Sequence, residues 1–259
     1  MIDTHSHMFD SAFDTDRAEA LQRAVSAGVE RIVCPALDSQ SHEAMLAMCR
    51  SYPTLCLPAM GVHPTSINDN ADWRGELEIV EKYLAEPPVE RFYAIGEVGL
   101  DLHWGRDWLA EQTIAFERQI ELALQYGLPL LVHTRDAWSE MHAVLENYAG
   151  AGLSGIMHAF SGTFEDYLRV REVGDFVLGV GGSATYKKNL WPELLPQIDP
   201  SHIVLETDAP WLPPVPFRGQ RNESSYLTYT RDAVAAILDL SPAQVDGLTT
   251  ATAHRIFKC

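Results

Sequence analysis

Two histidines one residue apart stand near the start of the chain, in Met1-Ile2-Asp3-Thr4-His5-Ser6-His7. Side chains alternate between the faces of an extended strand, so His5 and His7 look the same way and can share one metal ion or one substrate atom. An isolated His-x-His is as often a pair of surface histidines. Five later apolar runs decide between these readings, because each ends in a histidine or a carboxylate. His63 follows residues 55–60, Glu97 follows 92–96, His133 follows 128–132, His158 follows 155–157, and Asp208 follows 202–207. Six such side chains, His5, His7, Glu97, His133, His158 and Asp208, exceed what one four-coordinate ion with an open position for water can use. Two divalent cations bridged by a carboxylate are the economical arrangement. We expect His5, His7 and Asp208 on one ion, His133 and His158 on the other, and Glu97 between them, although spacing alone leaves that partition open. Imidazoles suit zinc, and the carboxylates also admit manganese or magnesium.

The elements that must position these groups are eight short apolar runs, each followed by a helical pattern, which is the signature of a (β/α)8 TIM barrel with its reactive groups at the C-terminal face. Ala18, Leu21 and Val25 mark a first helix stopped by Gly28, and Asp38 or Ser39 caps a second with Met45, Met48 and Cys49 inward. Leu77, Val80 and Leu84 mark a third. Leu109, Phe116, Ile120 and Leu124 share one side of a long helix ending at Gly127, and Tyr167, Leu168 and Val170 lie on another. The glycines at 179, 181 and 182 suggest close backbone approach, with no metal ligand beside them. Ser241-Pro242-Ala243-Gln244 has the form of a capping box opening a short helix, and a further helix closes the chain around Ile256 and Phe257.

Patterned elements continue to the end of the 259 residues without a linker, so a single domain over 1–259 is expected. No run approaches a membrane span and no signal segment opens the chain. The four cysteines show no C-x-x-C spacing, so a reduced, cytoplasmic setting with small buried thiols is expected, and a monomer with no obligatory protein partner. A formal charge of −17 argues against a general duplex-DNA binder but not against a nucleic-acid substrate, since cations in a cleft neutralise phosphate locally. His42, His142, His202 and His254 fall outside the strand-end pattern and read as surface or packing residues. His103, in a loop close to Glu97, has no assigned role.

These residues reach a family. Asp3-Thr4-His5-Ser6-His7, Gly61-Val62-His63-Pro64, Gly96-Glu97-Val98-Gly99-Leu100-Asp101, His133-Thr134-Arg135-Asp136, His158-Ala159-Phe160-Ser161-Gly162, Glu206-Thr207-Asp208-Ala209-Pro210 and Arg218-Gly219-Gln220-Arg221-Asn222-Glu223 resemble, in order and over the whole chain, the TatD-type metal-dependent hydrolases of the amidohydrolase-like barrels. Residues 179–186 and 218–223 resemble the YjjV-like branch most. Ser224 stands where the family tends to have proline, and Ala159 where it often has cysteine; neither is a ligand position. The resemblance implies a deformed (β/α)8 barrel, the ligand set above, and nuclease action on DNA, often from the 3′ end.

For such hydrolysis Asp208 is the expected proton acceptor, Glu97 the shared ligand, and His63 and Arg135 the substrate contacts. Arg218, Arg221 and Asn222 could hydrogen-bond a phosphate, a salt-bridged structural role being the other reading of each arginine. A DNA or other phosphodiester substrate competes with an amide, ester or aminoacyl substrate, since the same activated water attacks carbon as readily as phosphorus. A metal-binding protein without turnover is the third alternative.

Overall fold

A computed structural model describes residues 1–259. Its eight strands are β1 (Ile2–Asp3), β2 (Arg31–Pro35), β3 (Cys56–Met60), β4 (Ala94–Asp101), β5 (Leu130–Arg135), β6 (Ser154–Met157), β7 (Asp175–Val180) and β8 (Ile203–Leu205). They form one sheet in sequence order, every neighbouring pair parallel. Parallel neighbours need crossovers. These are built from α1 (Arg17–Ser26), α2 (Ser39–Ser51), α3 (Trp73–Ala85), α4 (Leu109–Tyr126), α5 (Trp138–Leu145), α6 (Phe164–Val173) and the short α7 (Trp191–Leu194), while α8 (Leu227–Leu238) and α9 (Pro242–Phe257) follow the last strand. Between β8 and β1 the ring is closed by individual bonds. The Thr4 N–H donates to the Leu205 carbonyl at 3.0 Å and the Asp208 N–H to the His5 carbonyl at 2.9 Å. The Asp3 carboxylate accepts from both the N–H (3.0 Å) and the hydroxyl (2.6 Å) of Thr207. This is the expected (β/α)8 barrel.

Alternation along the buried strands sorts side chains into two layers. Ile2, Val33, Leu57, Ala59, Ala94, Leu131, Ile156, Val177 and Val204 fill the barrel, and α9 inserts Ala253, Ile256 and Phe257 against them. Residues between them, such as Ile95, Val98, Val132, Met157 and Leu205, pack in the outer layer with the helices. Truncating an inner residue such as Leu131 to alanine typically costs about 2–5 kcal/mol. With the interior filled and α9 packed into it, the inward positions still open are those one alternation further along each strand. His133 on β5, His158 after β6 and Glu206 after β8 occupy them.

Several local expectations are corrected. β1 ends at Asp3 and the chain bends at His5, so a bend and not strand alternation turns His5 and His7 together. β8 begins at Ile203, with His202 in a preceding 3-10 turn. The inward stripe of α1 is Ala20, Leu21 and Ala24, small residues that let the helix lie close to the sheet, while Ala18 and Val25 are exposed. Leu124 and Leu168 are likewise exposed. The C-terminal residues form one helix, not two. Exposed Gly247 costs it about 1 kcal/mol against alanine, and the burial of Val245, Thr249, Ala253 and Ile256 outweighs that. No helix is long and apolar enough to cross a membrane.

Candidate metal centre

The site is made where alternation fails. Ile95 pairs with Leu130 and Val98 with Val132, so β4 advances three residues while β5 advances two. The extra residue is a β-bulge. Ile95 and Val98 both face the helices, and Gly96 and Glu97 turn inward between them. In a regular strand Glu97 would share the face of Ile95 and be lost among helix side chains. Glycines permit the bulge: a Cβ on Gly96 would lie 2.5 Å from Leu131 Cβ, and one on Gly99, at φ +141°, would lie 2.0 Å from the His133 carbonyl oxygen.

Glu97 is thereby buried among histidines. Its Oε2 lies 3.0 Å from His5 Nε2 and 3.5 Å from His7 Nε2. Its Oε1 lies 3.1 Å from His133 Nδ1, 3.4 Å from His63 Nε2 and 3.9 Å from His158 Nε2. Asp208 Oδ1 completes the cluster, 3.6 Å from His7, 3.7 Å from His158 and 3.9 Å from His5. All six residues expected at a metal meet here, joined by His63. The donor set fits divalent cations. His5 and His7 face each other Nε2 to Nε2 at 3.1 Å, where at most one proton can be shared while both rings are neutral, and their Nδ1 atoms have no hydrogen-bond partner. His5, His7 and Glu97 could hold one ion; Glu97 and His133 lie equally close together on the other side, with His63 beside them.

Polar neighbours set which imidazole nitrogen faces the cluster. Asp101 Oδ2, 2.9 Å from His133 Nε2, leaves the Nδ1 lone pair toward Glu97. Glu206 Oε1 lies 3.1 Å from His158 Nδ1 as an ion-pair contact, which favours a proton there and leaves Nε2 inward. His63 is different: the Thr65 N–H donates to its Nδ1 at 3.1 Å, so the neutral ring carries its proton on Nε2 and presents a donor where a ligand needs a lone pair.

Electrostatics follow from burial and crowding. Burial pushes Glu97 up, but His5, His63, His133 and His158 outweigh it and hold the carboxyl well below its usual range. Burial takes His5 well below 6.5, and His158 adds to the effect. It also lowers His63. For His133 burial is overcome by Asp101 and Glu97, which raise it, and for His158 by Glu206, which lifts it to about 10. Burial raises Asp208 to about 6. Asp208 adopts φ 58°, a left-handed conformation costing an L-residue roughly 1–2 kcal/mol.

Sequence reasoning gave Glu206 and Asp101 no role and expected Asn222 at a phosphate. Glu206 is fully buried and its Oε1 accepts the Ala159 N–H at 2.6 Å. Gly179 makes room for it, because a Cβ there would lie 2.2 Å from Glu206 Oε2; this is the close approach that the glycine run signalled. The two-residue step from Val204 through Glu206 to Asp208 was the signal available for Glu206. Asn222 donates its amide to the Thr207 and Trp211 carbonyls, both at 2.7 Å, and so fixes the loop that follows Asp208.

Arg135, expected at substrate, lines the lip of a cleft of about 640 Å³ together with His63, Trp104 and Trp211. Arg218 and Arg221 do not line it. Arg218 lies over the Tyr186 ring at 4.5 Å. Arg221 pairs with both oxygens of Asp16 (2.6 and 2.8 Å), donates to the Ala12 carbonyl and covers Phe13, so it takes the structural alternative. His103 bonds Asp136 at 3.0 Å on the rim. His42 and His142 are buried packing residues, His142 bonded to Asp166 at 2.7 Å. Cys34, Cys49 and Cys56 are buried thiols, as expected, whereas Cys259 is only half-buried.

A parallel barrel whose inward histidines surround a bulge-presented glutamate defines a metal-dependent hydrolase. The model of the family described as TatD related DNase matches residues 2–258, and the chain belongs to that family. It is 34% identical to the uncharacterized metal-dependent hydrolase YabD of Bacillus subtilis over 263 residues, covering 100% of this chain and 99% of YabD. It is 31% identical to the 3′-5′ ssDNA/RNA exonuclease TatD of Cronobacter sakazakii over 262 residues, covering 99% of this chain and 97% of that one. The crystal structure of the TatD homologue YjjV of Escherichia coli superposes with a TM-score of 0.91 at 26% identity, covering 100% of this chain and 98% of that chain. The chain is a metal-dependent hydrolase of the TatD DNase family, a class acting on phosphodiester bonds.

Proposed function

We propose that the chain removes nucleotides from the 3′ end of single-stranded DNA or RNA with the help of two divalent cations. What carries this reading is the division of the Glu97 carboxylate, one oxygen toward His5 and His7 and the other toward His133 and His158. The named activity of relatives such as the Cronobacter exonuclease supports the substrate. His5, His7, Asp208 and Glu97 would hold one cation, and Glu97, His133 and His158 the other. Zinc suits the imidazoles, and manganese or magnesium the carboxylates. When bound, the cations acidify water and stabilise negative charge on the phosphoryl oxygen.

The chain's own groups do the rest. Asp208 accepts the proton of the attacking water as its oxygen bonds to phosphorus, then returns it to the sugar oxygen as the P–O bond breaks. His63 offers its Nε2–H to a phosphate oxygen, and Arg135 adds charge from the lip. Residues 1–259 act as one barrel domain, a cytoplasmic monomer.

A second reading, an amide or aminoacyl-ester substrate, is favoured by the scarcity of cationic side chains in the cleft, where Arg135 is the sole lysine or arginine. Elemental analysis and a substrate screen separate the two. Two ions per chain with mononucleotide release from a single-stranded oligonucleotide supports the proposal. Turnover of aminoacyl esters alone supports the second, and an intact metal site without turnover of either indicates a non-catalytic metal protein.

A further inference from the structure

Two side chains of the cleft are left unused by the mechanism and unexplained by packing. Trp104, in the loop after β4, is 73% exposed, and Trp211, in the loop after β8, is 43% exposed. The other tryptophans are buried or half-buried. β4 and β8 stand four places apart in a closed ring of eight, so the loops that follow them face each other across the mouth. Both indoles line the cleft that holds Glu97 and Asp208. Arg135, from the strand next to β4, has its guanidinium carbon 6.0 Å from the Trp104 ring centroid. Trp211 meets the ring of His7 edge-on with centroids 5.0 Å apart. One indole thus stands on each wall, with the metal-binding residues between.

We propose that Trp104 and Trp211 form a base clamp: the nucleobases on either side of the scissile phosphodiester stack one against each indole while the phosphate lies over the metal floor. This rests on the nuclease reading of the same site. Every base has an apolar face, so stacking on an exposed indole is strong and tolerant of sequence. Bases in a duplex are paired and stacked on one another and must be unpaired before they can use such walls. The clamp therefore selects unpaired ends. It also answers the charge problem. Arg135 is the single lysine or arginine in the lining, and one guanidinium neutralises only about one phosphate, which for a single strand contributes about −0.7 to the slope of log affinity against log salt.

The test uses quenching of tryptophan fluorescence in metal-free protein by oligodeoxyadenylate and oligodeoxythymidylate, together with KM on the metal-loaded enzyme. Trp104→Ala and Trp211→Ala each weaken oligonucleotide binding and raise KM by about 5- to 150-fold, and Trp→Phe at either position recovers most of the loss. An abasic residue next to the scissile bond incurs the same penalty in the parent but not in the variant lacking the facing indole. Cleavage with KM unchanged in both alanine variants overturns the clamp and leaves the nuclease reading intact. Quenching without cleavage keeps the clamp and removes the nuclease reading. Neither quenching nor cleavage removes both, and a salt slope steeper than about −3 overturns the single-guanidinium account.

Discussion

Glu206→Gln keeps the shape of a buried side chain and removes one charge from behind His158. Glu206 Oε1 is bonded to the Ala159 N–H and lies 3.1 Å from His158 Nδ1, while Oε2 has no donor. That contact favours a proton on Nδ1, so that when His158 is neutral its Nε2 lone pair faces Asp208 and Glu97, 3.7 and 3.9 Å away. It is also the main influence that lifts His158 against its own burial. Removing a partner of this kind costs about 10- to 100-fold in metal affinity, or roughly 1.4–2.7 kcal/mol. Glutamine is the right probe because alanine would leave a protonated His158 buried without its partner, and breaking a buried pair costs about 3–5 kcal/mol in stability.

Gly179→Ala approaches the same contact from the opposite side. The new Cβ would sit 2.2 Å from Oε2 and 2.6 Å from Cδ of Glu206, whose backbone is held to the Val180 carbonyl, so the carboxylate has to move. Chelator-competition titration of the reconstituted proteins measures the effect, with circular dichroism to establish folding. Both variants fold and bind metal about 10- to 100-fold more weakly. A folded Glu206→Gln protein that binds both cations within twofold of the parent would refute the assignment of Glu206 as the residue that positions His158.

Three other outcomes follow from the geometry. Glu97→Ala removes both shared oxygens, so elemental analysis finds less than one ion per chain and activity is lost; full occupancy would show that the carboxylate is not shared. Asp208→Asn lowers kcat by about 10²–10⁴-fold, the usual worth of a positioned proton acceptor, while metal content falls much less; an equal loss of both would make Asp208 a ligand only. Asp166 gives a pH signature far from the cluster. Burial would raise its carboxyl, but the Thr163 N–H, His142 and the Thr163 hydroxyl hold it below the ordinary range. The ionised form therefore contributes stability above about pH 3.9, the unfolded value, which is lost as pH falls through the folded one. Asp166→Asn costs about 1 kcal/mol at pH 7, and its Tm deficit shrinks toward pH 3; a deficit constant over that range would rule out the ionic part.

What the sequence disclosed and what it hid divide along a physical line. His133, His158 and Asp208 were legible because each continues the inward alternation of a buried strand, a pattern written in one dimension. Glu97 was found by type, as a carboxylate flanked by apolar residues and glycines, yet its inward aim depends on a bulge set by the register between β4 and β5. His5 and His7 were paired for the wrong reason, since the bend at His5 does what alternation was expected to do. Glu206 looked like the end of a strand, and only the missing Cβ of Gly179 reveals that a carboxylate fills the space. Arg221 and Asn222 carry polar groups suited to phosphate, but their partners, Asp16 and the Thr207 and Trp211 carbonyls, are remote in sequence or backbone atoms, and neither kind of partner shows in a motif.

The barrel's shortest strand leads directly into two of the metal-binding candidates, His5 and His7, and this sets how the site is held. A two-residue strand gains little from ladder bonds, so β1 is pinned by side chains, through the two bonds from Thr207 to Asp3 and the Thr4 hydroxyl donated to the Leu205 carbonyl at 3.0 Å. Thr207 is held at every polar atom, by Asp3 on its N–H and hydroxyl and by Asn222 on its carbonyl. It is also the residue between Glu206 and Asp208. Fixing it therefore fixes the carboxylate that positions His158 and the carboxylate that faces His5 and His7, and it sustains the left-handed Asp208 that a freer loop would relax. Closing the ring and assembling the metal site are consequently one event. The bonds between residues 3 and 207 lie on the seam that brings 5, 7 and 208 together, and a cation held by His5, His7 and Asp208 would tie that seam a second time, adding its binding free energy to the stability of the closed barrel.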